Sequence, residues 1–142
     1  MSAVKSSPAG RDVIAPFVEE VRKQGLRLGF YYSLIDWPRE DYPNYLRTGP
    51  ARYDIHAEPE RWQHFLDFNK AQLEELTTTW HPDLIWFDGD WEFSAEDWRA
   101  PEVVAELRKT VPDVVVNSRI QGYGDYGTPE LGVPVVRPEL QW

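Results

Sequence analysis

The stretch His81-Pro82-Asp83-Leu84-Ile85-Trp86-Phe87-Asp88-Gly89-Asp90-Trp91 decides how this chain is read. An apolar run, Leu84 to Phe87, stops abruptly at a carboxylate, a glycine, a second carboxylate and a tryptophan. A continuous apolar run bounded by turn residues reads as a strand buried on both faces, the pattern of a parallel sheet. Parallel α/β folds place their chemistry at the carboxyl ends of strands, and Asp88 stands at such an end. Carboxylates among tryptophans also suit a sugar: charge for the glycosidic bond, flat apolar rings for a pyranose face. Asp-Gly after a strand is equally a turn signal, whose aspartate bonds only nearby backbone. By itself the segment leaves both readings open.

Working outward, helices and strands alternate. Asp12 is placed to cap a helix over Val13–Gln24, where Ile14, Phe17, Val18 and Val21 recur at helical spacing and Gly25 ends it. Leu26–Ser33 reads as a strand finishing in Tyr31-Tyr32-Ser33. Asp36 to Pro59 is a long loop rich in proline and in aromatic residues (Trp37, Tyr42, Tyr45, Tyr53), and connections of that length usually carry function. Glu60–Thr79 is an amphipathic helix with Pro59 at its entry, its apolar side formed by Phe65, Phe68, Leu73 and Leu76. A shorter helix follows over Pro101–Thr110, then a third strand over Val114–Asn117 with Ser118-Arg119 at its carboxyl end. Residues 1–10 read as a flexible lead, and 121–142 carry little periodicity. Such alternation implies an α/β fold, a parallel sheet with right-handed crossovers. Three units cannot close a (β/α)8 barrel, which takes about 250 residues.

Composition bounds the function. The chain has 142 residues, enough for one domain, and a formal charge of −9 that argues against nucleic acid and anionic membranes as partners. Aromatic residues make up 14% of it, which suits a carbohydrate or small-ligand site, although some must fill the core. No apolar run approaches the ~20 residues of a membrane helix, and no secretory h-region opens the sequence. There are no cysteines, so thiolate metal sites and disulfides are excluded. His56, His64 and His81 show no ligand spacing, and the reading calls for no metal and no cofactor.

Five blocks carry a family resemblance: Gly29-Phe30-Tyr31-Tyr32-Ser33 followed by Asp36-Trp37; Gln72-Leu73-Glu74-Glu75-Leu76; Pro82 to Gly89; Val116-Asn117-Ser118-Arg119; and Asp125-Tyr126-Gly127-Thr128-Pro129-Glu130. In this order the chain resembles the catalytic barrel of α-L-fucosidases, the retaining glycoside hydrolases of family 29. The resemblance implies a partial (β/α)8 barrel over residues 11–142, of about three to four parallel βα units, truncated at both ends. It also implies double displacement on terminal α-linked fucose, with Asp88 as the nucleophile, held ionised by hydrogen bonds that favour its charged form. A second carboxyl must protonate the leaving oxygen and later activate water. Glu130 is the first choice for this acid/base, with Asp90 and Glu92 as alternatives. The resemblance further points to Tyr32 (or Tyr31), Trp86 and Arg119 as substrate-binding residues, with Trp37 beside them. The family's His-His block would lie upstream of residue 1.

A fragment of a barrel has unpaired sheet edges, so self-association or a complementing barrel fragment is the expected partner beside a fucosylated glycan. A non-catalytic remnant that binds sugar or completes another half-barrel is the alternative function.

Overall fold

The computed structural model describes residues 10–129. The lead expected over 1–10, Gly10 apart, and the Glu130 position fall outside them. In chain order the elements are α1 (Ile14–Lys23), β1 (Gly29–Ser33), α2 (Pro59–Trp80), β2 (Leu84–Asp88), a 3-10 turn (Asp90–Glu92), α3 (Ala100–Thr110) and β3 (Val115–Val116). The strands form one sheet in the order β1-β2-β3, and both pairings are parallel, as the alternation requires.

Local chemistry explains where the elements begin and end. The Asp12 carboxylate accepts the N–H groups of Ile14 and Ala15 at 2.9 and 3.3 Å, capping α1 from its side chain. Pro59 opens α2, where a missing N–H costs nothing. That helix ends on His81, which is left-handed at φ 42° and donates its N–H to the Thr77 carbonyl. Pro82 then blocks any continuation.

Both outer strands are shorter than their apolar runs. β1 starts at Gly29 rather than Leu26, because Leu28 spends its N–H on the Asp83 side chain. β3 is only two residues long, because Asn117 pairs with β2 through its side chain instead of its backbone.

Asp83 pins the entry of the sheet. Its Oδ2 accepts the Leu28 N–H at 2.8 Å and its Oδ1 accepts Arg27 at 2.7 Å. The backbone bond first, then the Arg27 bond, lower its pKa below the ordinary 3.8. A carboxylate whose pKa falls on folding adds stability that is complete above its unfolded value and lost as pH drops through the folded one. Asp83→Asn is therefore expected to cost on the order of 0.5–1 kcal/mol at neutral pH, a modest figure because water screens an exposed pair. Urea titrations of both proteins should show the gap narrowing as pH falls below the ordinary carboxylate range; a gap independent of pH would dismiss the charge as its source.

Register sets up everything that follows. Tyr31 lies opposite Trp86, Tyr32 opposite Phe87, and Ser33 opposite Asp88. Since side chains alternate across a strand, Tyr31, Ser33, Trp86 and Asp88 share one face, and Tyr32, Ile85 and Phe87 the other. Helices α2 and α3 cover that second face. Phe65, Leu73, Val104 and Leu107 pack there with Ile85, Phe87 and Val116 in one core. Much of the aromatic content is structural. Tyr42, Trp62, Phe65, Phe93 and Trp98 form a cluster with centroids 4.8 to 6.4 Å apart, and Tyr42, Trp62, Phe65 and Trp98 are buried.

Candidate active site

Asp88 is the last residue of β2, and the chain turns sharply after it. Gly89 has φ 87°, and a Cβ there would sit 2.5 Å from Ile35 Cγ1, so only glycine permits this turn beneath the loop. The Asp88 carboxylate is held from both sides. Arg119 Nη1 donates to Oδ1 at 2.9 Å, and the Tyr31 hydroxyl donates to Oδ2 at 2.8 Å. The arginine and the aspartate are largely sheltered, with side-chain exposures of 19% and 23%. Burial, followed by the bond to Asp88, raises the Tyr31 phenol above its ordinary pKa, so the hydroxyl keeps the proton it donates.

Two supports fix this arrangement. Asn117 is wholly buried; its Oδ1 accepts the Phe87 N–H at 2.8 Å and its Nδ2 donates to the Phe87 carbonyl at 3.0 Å. The amide thus extends the ladder along β2 to the residue before Asp88. The segment after β3 folds back on itself. Ser118 donates its N–H to the Tyr126 carbonyl, and Thr128 Oγ1 accepts Arg119 Nε at 3.2 Å. That return passes so close that a Cβ on Gly124 would lie 2.0 Å from the Asn117 carbonyl oxygen.

The remaining expected residues fall into three groups. Trp86 lies two positions before Asp88 on the same face, its ring 6.3 Å from that of Tyr126. Trp37 borders a cleft of about 280 Å³ that Tyr31, Ser33, Asp88, Gly89 and Trp91 also line. Tyr32 requires a correction: it points to the helix side, is 7% exposed, and donates its hydroxyl to Gln72 Oε1 at 3.0 Å. Tyr31 takes the place at Asp88 because it is one residue earlier, and strand alternation reverses the face.

The two alternative acids have other partners. Glu92 accepts Trp37 Nε1 on Oε1, and the Tyr42 hydroxyl and Asn44 Nδ2 on Oε2, at 2.9, 2.5 and 2.9 Å. Asp90 Oδ2 accepts the Gln121 N–H at 2.7 Å, and its carbonyl accepts Trp98 Nε1. Both residues tie loops together, a role their spacing from Asp88 did not reveal. A larger groove, about 510 Å³, runs between α2 and α3 past Lys70, Glu74, Glu102 and Glu106; Asp88, Tyr31 and Arg119 take no part in it.

A family model described as Alpha-L-fucosidase matches residues 1–142. Alpha-L-fucosidase of Dictyostelium discoideum is 31% identical over 121 residues, which are 83% of this chain and 24% of that protein. Human tissue alpha-L-fucosidase is 31% identical over 113 residues, 77% of this chain and 22% of that one. Among solved structures, the alpha-fucosidase of Thermotoga maritima in complex with a mechanism-based inhibitor superposes with a TM-score of 0.64 at 30% identity, covering 94% of this chain and 30% of that chain. An alpha-L-fucosidase from Lactobacillus casei in complex with its α-L-fucose product reaches 0.68 at 23% identity, over 92% and 44%, a likeness of fold alone. The chain spans about a quarter of the length of the curated relatives it matches. With the whole sequence inside the family match and relatives above 30% identity, the chain belongs to the alpha-L-fucosidase family.

Proposed function

We propose that this chain carries the nucleophile side of a retaining α-L-fucosidase site, on consecutive staves of a (β/α)8 barrel. The observation that carries the reading is the Asp88 carboxylate at the end of β2, with Arg119 on one oxygen and Tyr31 on the other. Both donors fix the carboxylate in one orientation, which a nucleophile needs before attack. Trp86, on the same face, offers an apolar wall to the sugar.

In the proposed reaction an Asp88 oxygen attacks the anomeric carbon of a terminal α-linked L-fucose. The bond to the leaving oxygen breaks, and that oxygen takes a proton from a second carboxyl group. The fucosyl ester on Asp88 is then hydrolysed by water, whose proton returns to the second carboxylate. Glu130 remains our choice for this second group; it lies outside the described residues. Retention requires it about 5–5.5 Å from Asp88. The substrate class is a fucosylated glycan or glycoside, and a complementing barrel fragment or a second copy is the proposed protein partner.

Product stereochemistry tests the reading. Proton NMR of early hydrolysis of an aryl α-L-fucoside is expected to show α-L-fucose appearing before mutarotation. Release of the β anomer first, or cleavage of the galactoside in preference to the fucoside, would remove the proposal. Glu130→Ala is expected to slow poor leaving groups by roughly 10²-fold or more while sparing activated aryl ones, since a good leaving group needs no proton.

A further inference from the structure

Asp88 is followed by Gly89, and no other aspartate of the chain precedes so small a residue; the rest stand before Val, Trp, Tyr, Ile, Phe or Leu. The difference is chemical. A main-chain nitrogen can attack the side-chain carboxyl of the aspartate before it, and a bulky side chain on the attacking residue blocks the approach. Glycine has none, so this junction is where the backbone is most open to rearrangement. Neither residue can be exchanged without loss: Asp88 is read as the nucleophile, and a Cβ at position 89 would lie 2.5 Å from Ile35 Cγ1.

The folded site restrains that attack. Ring closure requires the Asp88 backbone to swing out of the extended form, and Asp88 is the last residue of β2. Its carbonyl accepts the Leu34 N–H at 2.8 Å, which resists the swing. Its carboxylate must also leave Arg119 Nη1 and the Tyr31 hydroxyl, which donate to it at 2.9 and 2.8 Å. Releasing a strand end takes less free energy than unfolding the core, so the junction can rearrange while the chain stays folded. Asn117, before Ser118, is the other candidate by sequence, but its amide is wholly buried and bonded twice to Phe87.

We propose that Asp88-Gly89 is a self-modification site, where the folded chain slowly converts Asp88 to isoaspartate, and that Arg119 and Tyr31 set the rate by holding the carboxylate. The Gly89 nitrogen attacks Asp88 Cγ; the N–Cγ bond closes a cyclic imide, and one carboxyl oxygen leaves as water with the amide proton and one further proton. Water then adds at the main-chain carbonyl carbon of Asp88 and breaks its bond to nitrogen. The chain now runs through Cγ, and the free carboxylate sits directly on Cα. Nothing is oxidised or reduced, and water is the only co-reactant. The backbone after β2 is one carbon longer and the carboxylate one carbon shorter, which takes it away from both donors. The modification stands apart from the fucosidase reading; its effect on turnover rests on that reading.

Incubation of the full chain for weeks at neutral pH and body temperature, followed by peptide mapping with electron-transfer fragmentation, tests the site. Isoaspartate is expected at position 88 and at no other aspartate. Arg119→Ala should gain it roughly tenfold faster than the wild type and Tyr31→Phe about threefold faster, as the loss of one bond to a charged group allows. Tyr31→Phe keeps the exposed ring, so it isolates the lost hydroxyl from any lost packing. Urea unfolding of each variant runs alongside. Rates equal to the wild type in both variants, or rates that follow global stability alone, overturn the restraint by the two donors; absence of isoaspartate at position 88 overturns the site itself. Where an aryl α-L-fucoside is hydrolysed, turnover is expected to fall in proportion to isoaspartate. Isoaspartate with undiminished turnover would keep the modification and remove Asp88 as the nucleophile.

Discussion

Asp88→Gly is expected to abolish hydrolysis of an aryl α-L-fucoside, by on the order of 10³- to 10⁶-fold, in whatever form of the protein turns that substrate over. The loss should be chemical rather than structural. Asp88 is a strand-end residue on the face opposite the core, so its truncation empties no packed space. Added azide should then restore part of the turnover by attacking the anomeric carbon from the side the carboxylate left, giving a β-fucosyl azide. Leaving-group release by absorbance and product configuration by NMR are the two readouts. Wild-type rates in the variant would reduce Asp88 to a turn residue and end the mechanism proposed for it.

Asn117→Ala is expected to have the largest effect on stability, about 2–5 kcal/mol, read from urea or thermal unfolding. The side chain is wholly buried and makes two bonds, one to the backbone N–H and one to the backbone carbonyl of Phe87. Removing it leaves a buried N–H and a buried carbonyl without partners, and each such group costs roughly 1–3 kcal/mol. Asn117→Asp should be nearly as harmful, because a carboxylate can accept from Phe87 but cannot donate to it. A loss below about 1 kcal/mol in Asn117→Ala would mean that water or a shifted backbone replaces the amide.

Parts of this fold are written locally and were legible for that reason. The run Leu84 to Phe87 is apolar on both faces and makes β2; Pro59 and the 3.6-residue spacing of Phe65, Leu73 and Leu76 make α2. Order and direction of the strands followed from the alternation, and the sheet agrees. What escaped is set by pairs far apart in the chain. Tyr31 and Tyr32 are neighbours of the same type, and only the register Ser33↔Asp88 decides which of them meets the carboxylate. Glu92 looked like a spare acid near Asp88, because its partners Trp37, Tyr42 and Asn44 lie about fifty residues earlier. Asn117 looked like one more strand residue, since no spacing rule signals an amide that substitutes for backbone. The aromatic content hinted at a ligand site, yet Trp62 and Trp98 were indistinguishable in sequence from Trp86 and Trp91.

The alternation along β1 and β2 has a consequence for how this sequence can change. Ile85, Phe87 and Tyr32 answer to the packing of α2 and α3, whereas Tyr31, Trp86 and Asp88 answer to nothing in the core. On the proposed function, selection for foldedness and selection for chemistry therefore act on interleaved but separate sets of positions. A lineage can drift at 31, 86 and 88 with little penalty in folding, and cellular quality control, which senses exposed core, would pass such a chain unnoticed. Conversely, repacking at 32, 85 or 87 can tune thermal tolerance with the carboxylate left where it is. A protein built this way can lose the reaction proposed for it long before it loses its shape.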